Sequence, residues 1–177
     1  MHTHLETRCI VVECLPESLS VLNTMRVQYY TTVDPGVPYD PNVFADQVAI
    51  YLADPDGWSQ LHTFVATKRT GKHIRLCRPH TLKAEGCKDD HLSCAILGGT
   101  EIWLNHDRWM HGSKASGLPL ERYRQYMVTH EMGHSLGYDH AKCPGSGPAP
   151  VMMQQTVGIG ACTPNTTLTE IDLRMNQ

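Results

Sequence analysis

Apolar positions along this chain fall into short runs whose spacing changes from two to about four residues and back. Val27, Tyr29 and Thr31 alternate with polar neighbours, so 26–33 reads as a strand ended by the turn Asp34-Pro35-Gly36. Asp40-Pro41 then offers an N-cap followed by proline at the first helical position. Phe44, Val48, Tyr51 and Leu52 recur behind it at helical spacing, which predicts a helix over 41–53 stopped by Asp54-Pro55-Asp56-Gly57. Residues 61–66 and 73–77 read as two short strands joined by Arg69-Thr70-Gly71-Lys72. The polar stretch 78–93 reads as a long loop, and 95–105 as a hairpin turning at Gly98-Gly99. A long helix is expected over 119–137, with Tyr123, Met127, His130 and His134 on one face. Residues 141–164 have no helical period and much Pro and Gly, as a wrapped loop would. Thr169-Glu170-Ile171-Asp172 resembles the capped start of a short terminal helix. The segment 1–25 reads as a leader or an extra strand, leaving 26–177 as one domain.

Composition narrows the class. A chain of 177 residues with 41% hydrophobic and 19% charged residues is that of a globular domain. A net charge of −3 lacks the basic footprint of a nucleic-acid binder. No apolar run approaches the ~20 residues of a membrane span. Nothing calls for an oligomer, so a monomer is expected. Seven cysteines point to an oxidising compartment, hence a secreted or extracytoplasmic location. Met1-His2-Thr3-His4-Leu5-Glu6, however, has neither the basic start nor the apolar core of a signal peptide. The cysteine count is odd, so at least one is free, metal-bound or paired between chains. The favoured pairs are Cys143–Cys162 and Cys77–Cys94. Cys9, Cys14 and Cys87 are left over, with Cys9–Cys14, or either of them with Cys87, remaining open. Asn165-Thr166-Thr167 is a glycosylation sequon of a kind common by chance.

The chemistry is concentrated in His130-Glu131-Met132-Gly133-His134-Ser135-Leu136-Gly137-Tyr138-Asp139-His140, which reads H-E-x-x-H-x-x-G-x-x-H. On a helix His130 and His134 lie one turn apart on a single face, so both can aim a nitrogen at one ion. Glu131 sits beside that ion as a general base. Gly137 lets the chain leave the helix with a positive φ, and His140 returns as a third ligand. Three protein ligands leave a fourth position for water, the arrangement of a catalytic zinc. Met152 or Met153 follows about a dozen residues later. Pro150-Val151 before it and Gln154-Gln155-Thr156 after it favour Met152 as the apolar floor beneath the imidazoles. His62, His73, His80, His91, His106 and His111 have no ligand spacing among themselves. His106-Asp107 and His111 are the nearest of these in sequence to the strand 100–105.

The zinc motif and this methionine are together similar to the metzincin clan of zinc peptidases. Arg122–Thr129 leading into His130, His140-Ala141-Lys142-Cys143-Pro144-Gly145, the run 151–156, Gly160-Ala161-Cys162-Thr163-Pro164-Asn165 and Ala53-Asp54-Pro55-Asp56-Gly57-Trp58 resemble, more narrowly, a bacterial family of small exported proteins of unknown function placed near that clan. The resemblance implies an α+β zincin-like fold: a twisted, mostly parallel sheet, a backing helix, the zinc-binding helix, a Met-turn and a short C-terminal helix. It implies one Zn2+ on His130, His134 and His140. The activity it implies is that of a metalloendopeptidase, in which Glu131 draws a proton from a metal-activated water that attacks a peptide carbonyl. A zinc-binding module without turnover and a zinc hydrolase of a non-peptide amide are the alternatives. The peptide or protein substrate would add as a strand to the sheet edge, for which 100–105 is the candidate. Many metzincins carry a tyrosine two residues after the methionine; here that position is Gln154.

Overall fold

The computed structural model describes residues 24–175, so the segment 9–14, with Cys9 and Cys14, lies outside the described residues. The fold is mixed α+β: a five-stranded, mostly parallel sheet carrying helices. Its strands are β1 (Met25–Val33), β2 (His62–Ala66), β3 (Lys72–Cys77), β4 (Cys94–Ala95) and β5 (Glu101–Asn105), in the order β2-β1-β3-β5-β4. All neighbours are parallel except β4, which runs antiparallel to β5.

Helix α1 (Pro41–Leu52) forms where the pattern predicts it. The Asp40 carboxylate accepts the Asn42 and Val43 amides at 2.7 and 3.1 Å, and Phe44, Val48, Tyr51 and Leu52 are buried. Helix α4 (Leu120–Ser135) packs against α1 and β5. Tyr29 of β1, Ile74 and Leu76 of β3, and Ile102 and Leu104 of β5 join both helices in the main core, and Val27 of β1 is buried as well. Alternation along each strand puts these six on the same face.

Strands β2 and β3 follow each other in sequence but do not pair. β2 lies along Met25–Tyr29 of β1, β3 lies along Tyr29–Val33 on its other side, and the connection crosses over β1 between them. The crossing is tight. A Cβ on Gly71 would sit 2.1 Å from the Gln28 carbonyl oxygen, and its φ is +95°. Arg69-Thr70-Gly71-Lys72, which reads as a local link between strands, is therefore a bridge over a third.

Two short helices interrupt regions without period. Helix α2 (Pro79–Ala84) occupies part of the stretch expected to be loop, and buries Leu82. Helix α3 (His106–His111) follows β5 directly; the Asn105 side chain accepts the Arg108 amide and Trp109 is buried. The terminal helix α5 (Glu170–Arg174) has the expected Thr169 cap, completed into a capping box by Asp172. Strand β5 does not form the sheet edge: β4 covers it, so the exposed edge on this side is Cys94–Ala95. Among the described residues no helix is long and apolar enough to cross a membrane.

The cysteines correct one expected pair. Cys143–Cys162 is bridged, with Cα atoms 5.9 Å apart. Cys77–Cys94 is not: Cys94 is bonded to Cys87, Cα–Cα 6.1 Å, and Cys77 is a buried free thiol. The sheet order explains this. Cys77 lies on β3 and Cys94 on β4, with β5 between them. Two strand spacings put them roughly 9–10 Å apart, beyond the ~7 Å that a disulfide spans. Burial, above all, pushes the Cys77 thiol up to about 12. The two bridges fit an oxidising compartment. The sequon asparagine is turned inward: Asn165 Nδ2 donates to the Ala149 and Thr167 carbonyls at 2.8 and 2.7 Å.

Candidate metal centre

Helix α4 carries His130, Glu131 and His134 on buried turns, and Gly137 takes φ +101° just beyond its end. The chain then turns back, bringing the more exposed His140 to the other two rings. Its Nε2 lies 3.0 Å from that of His134, which lies 3.2 Å from that of His130.

The partners of the other ring nitrogens decide what those contacts are. His130 Nδ1 is 2.8 Å from the Val151 carbonyl and His134 Nδ1 is 2.8 Å from the Tyr138 carbonyl. A carbonyl only accepts, so each Nδ1 carries the proton and each neutral ring turns a lone pair outward at Nε2. Two acceptors thus face each other with no hydrogen between them, and His140 Nε2 stands beside them. Such a cluster suits a cation. Protonation is a poor substitute. Burial, reinforced by His134 and His140, holds His130 down near 3 against the weaker upward pull of the Val151 carbonyl. His134 and His140 are also lowered, in each case chiefly by burial. Together the three side chains can hold a metal ion.

Glu131 points into the same cleft, and its Oε2 is buried without a hydrogen-bond partner. Burial alone pushes its carboxyl up to about 8. A cation on the triad would draw it back toward the ionised form. The carboxyl is thus poised to hold or release a proton near neutral pH.

A second layer fixes the rings. Met152 is fully buried against Gly133, the residue before His134, and Met153 is only partly buried. The Ala141 amide, next to His140, donates to the Met152 carbonyl at 3.0 Å. Asp172 reaches in from α5: its carboxylate accepts the Val151 and Met152 amides at 3.0 and 2.9 Å, as well as the Thr169 amide and hydroxyl. Val151 in turn presents its carbonyl to His130. Sequence reasoning identified Asp172 only as part of a helix start and missed this link. The Cys143–Cys162 bridge closes the segment after His140 onto the segment after Met152.

The cleft is also lined by Gln154 and Thr156, and by a wall made of residues 85–89 and 92–97 with Trp103. The latter wall was missed because 78–93 carries no period. Among the described residues, no other histidine joins the triad. His73 bonds Glu101 and Thr32, His111 bonds the Asp107 carbonyl, and His106 lines a separate surface depression with Arg78 and His80.

No curated protein matches the sequence. A family model described as "Protein of unknown function (DUF3152)" matches residues 13–174, and the chain belongs to that family.

Proposed function

We infer that this protein is a zinc-dependent metallopeptidase of the metzincin type, with His130, His134 and His140 as metal ligands and Glu131 as general base. The observation that carries the reading is the convergence of three imidazole nitrogens beside a buried, partnerless carboxyl. Zinc suits the donor set. Nitrogens about 2.0–2.1 Å from a tetrahedral centre stand roughly 3.3–3.4 Å from one another, close to the 3.0 and 3.2 Å found here. The antiparallel strand beside the cleft, the helices on the sheet and the buried Met152 against Gly133 all agree with a zincin-like fold.

Held by His130, His134 and His140, a zinc ion would supply Lewis acidity toward a water and a carbonyl oxygen. Glu131 would accept the proton of the attacking water and deliver it to the leaving amine, a two-way transfer that its buried, partnerless carboxyl in the cleft suits. The Val151 and Tyr138 carbonyls keep His130 and His134 in the ligating tautomer throughout. A non-catalytic zinc module would leave the desolvated Glu131 without a use, so the peptidase reading is preferred. The substrate strand has the β4 edge, Cys94–Ala95, available to it rather than 100–105.

The test is direct. The purified protein, loaded with zinc, should bind one equivalent and cleave members of a broad peptide library. Chelation should stop cleavage and zinc should restore it. Glu131→Gln should retain the metal and lose turnover by about two to four orders of magnitude. Full zinc occupancy with no cleavage of any peptide, or cleavage that survives Glu131→Gln, would overturn the reading.

A further inference from the structure

Strand β3 begins at Lys72, directly after the tight crossing over β1 at Gly71. Lys72 pairs with Tyr29 and, by alternation, shares the helix-facing side of β3 with Ile74 and Leu76. A lysine on that face needs acceptors, because its nitrogen is partly withdrawn from water. It finds them on two different elements. Nζ donates to the Ser135 carbonyl at 2.7 Å and to the Gly99 carbonyl at 2.8 Å. Ser135 is the last residue of α4, next to His134, and its carbonyl is among those that a helix end leaves unsatisfied. Gly99 belongs to the turn between β4 and β5. The donors of a tetrahedral lysine nitrogen suit two carbonyls that arrive from different directions.

Further bonds join the same two elements. Ser135 Oγ donates to the Gly99 carbonyl at 2.9 Å, and the Gly98 amide donates to the His134 carbonyl at 2.8 Å. Within the turn, the Gly99 amide donates to the Ile96 carbonyl at 2.8 Å and the Ile96 amide to the Glu101 carbonyl at 3.1 Å, so the place of the turn sets that of the strand before it. Ile96 and Leu97 line the cleft together with His134, whereas Lys72 does not line it. The end of α4 and the outer edge of the sheet are thus fastened at one point, and Lys72 holds both from a third element.

We propose that Lys72 is a positioning residue: bonded to Ser135 and Gly99 at once, it sets the distance between the three histidines and the β4 edge, and so the alignment in which an extended peptide backbone meets the metal. The proposal rests on the peptidase reading of the site. It assigns the placing of the substrate main chain to a residue outside both the motif and the cleft. A peptide that adds to β4 is held through its backbone, and a displacement of about 1 Å is enough to spoil a reactive alignment.

The test compares two metal-binding ligands on the full-length, zinc-loaded protein. Acetohydroxamate meets the metal alone; acetyl-trialanine hydroxamate adds a peptide backbone with minimal side chains. Both are titrated calorimetrically, and the ratio of their affinities isolates the pairing with the sheet edge. On the wild type the peptide compound should bind about tenfold or more tighter, from two or three main-chain hydrogen bonds. Lys72→Met keeps the length of the side chain and removes its donors. It should lower the ratio about fivefold, the scale of one lost hydrogen bond, with acetohydroxamate affinity held within about twofold. Ser135→Ala frees the Gly99 carbonyl of one bond without touching Lys72; it should lower the ratio a few-fold, and serves if Lys72→Met does not fold. A ratio unchanged by both substitutions, whether neither ligand is affected or both weaken equally, overturns the positioning role and leaves Lys72 as a cap on α4. Wild-type protein that binds the peptide compound no better than acetohydroxamate contradicts the peptidase reading, and the proposal falls with it.

Discussion

At the scale of single residues, the ligand geometry depends on a side chain distant in sequence from the motif. Asp172 holds the Val151 and Met152 amides, and the Val151 carbonyl holds His130 Nδ1, so the carboxylate acts on the candidate metal site through one peptide unit. Groups of this kind, one bond removed from a ligand, typically change metal affinity by about 10–100-fold. Asp172→Asn keeps the shape but loses one acceptor oxygen. Zinc affinity, measured by competition with a chromophoric chelator, should fall by roughly that factor. The absorption spectrum of the cobalt-substituted protein should shift as His130 reorients, a change that loss of stability alone would not produce. Unchanged affinity and spectrum would show that the contact only secures α5. The three converging histidines themselves were legible because the spacing of the motif is a local code. Asp172 was legible only as a cap, since its second set of bonds is made to residues about twenty positions earlier, and no short-range pattern records such a contact.

At the scale of elements, α1 and α4 were legible because each buries one stripe, whereas α2 and α3 are six-residue helices with a single deeply buried side chain apiece, too short for a period to show. The pairing of β2 and β3 on opposite sides of β1 was hidden for a different reason. The crossing depends on a close approach at Gly71 that a turn-like sequence does not distinguish from an ordinary link. Gly133 is the corresponding position inside α4. A Cβ there would lie 2.3 Å from Met152 Sδ and 2.8 Å from Trp58 Cζ2, under the very turn that carries the ligands. Helix propensity favours alanine over glycine by about 1 kcal/mol, but overpacking costs about 1–3 kcal/mol, and Trp58 is itself fixed by its bond to the Thr129 carbonyl. Gly133→Ala should therefore lower the thermal midpoint and weaken zinc binding. Adding Met152→Ala should restore part of the loss, a non-additivity that denaturation of the four proteins in the cycle would measure. A stabilised Gly133→Ala protein would mean that propensity outweighs the contact.

For the molecule as a whole, the same burial that prepares the site makes the metal-free fold vulnerable at both ends of the pH scale. His130 has an ordinary value of 6.5 and is held near 3 in the fold, so the unfolded chain binds a proton that the native one refuses. Its contribution is present above 6.5 and is lost as pH falls from there toward 3; His134 and His140 add slope in the same direction. Glu131 works the other way. Its ordinary value is 4.5 and its folded value about 8, so its contribution is complete below 4.5 and is lost as pH rises through 8. On the alkaline side the ionised, unpaired carboxyl costs the fold on the order of a few kcal/mol. Metal-free protein should accordingly be most stable between these limits, with its unfolding temperature declining toward both acid and alkali. Glu131→Gln removes only the alkaline decline. In the presence of chelator, its midpoint should exceed that of the wild type at pH 8 and converge with it near pH 5. Zinc should flatten the same limb in the wild type, by drawing the carboxyl down and occupying the three lone pairs. Thermal scans from pH 5 to 9 on both proteins, with chelator and with zinc, would distinguish this from a site whose carboxyl is already ionised and solvated, for which the substitution would leave the metal-free curve unchanged at every pH.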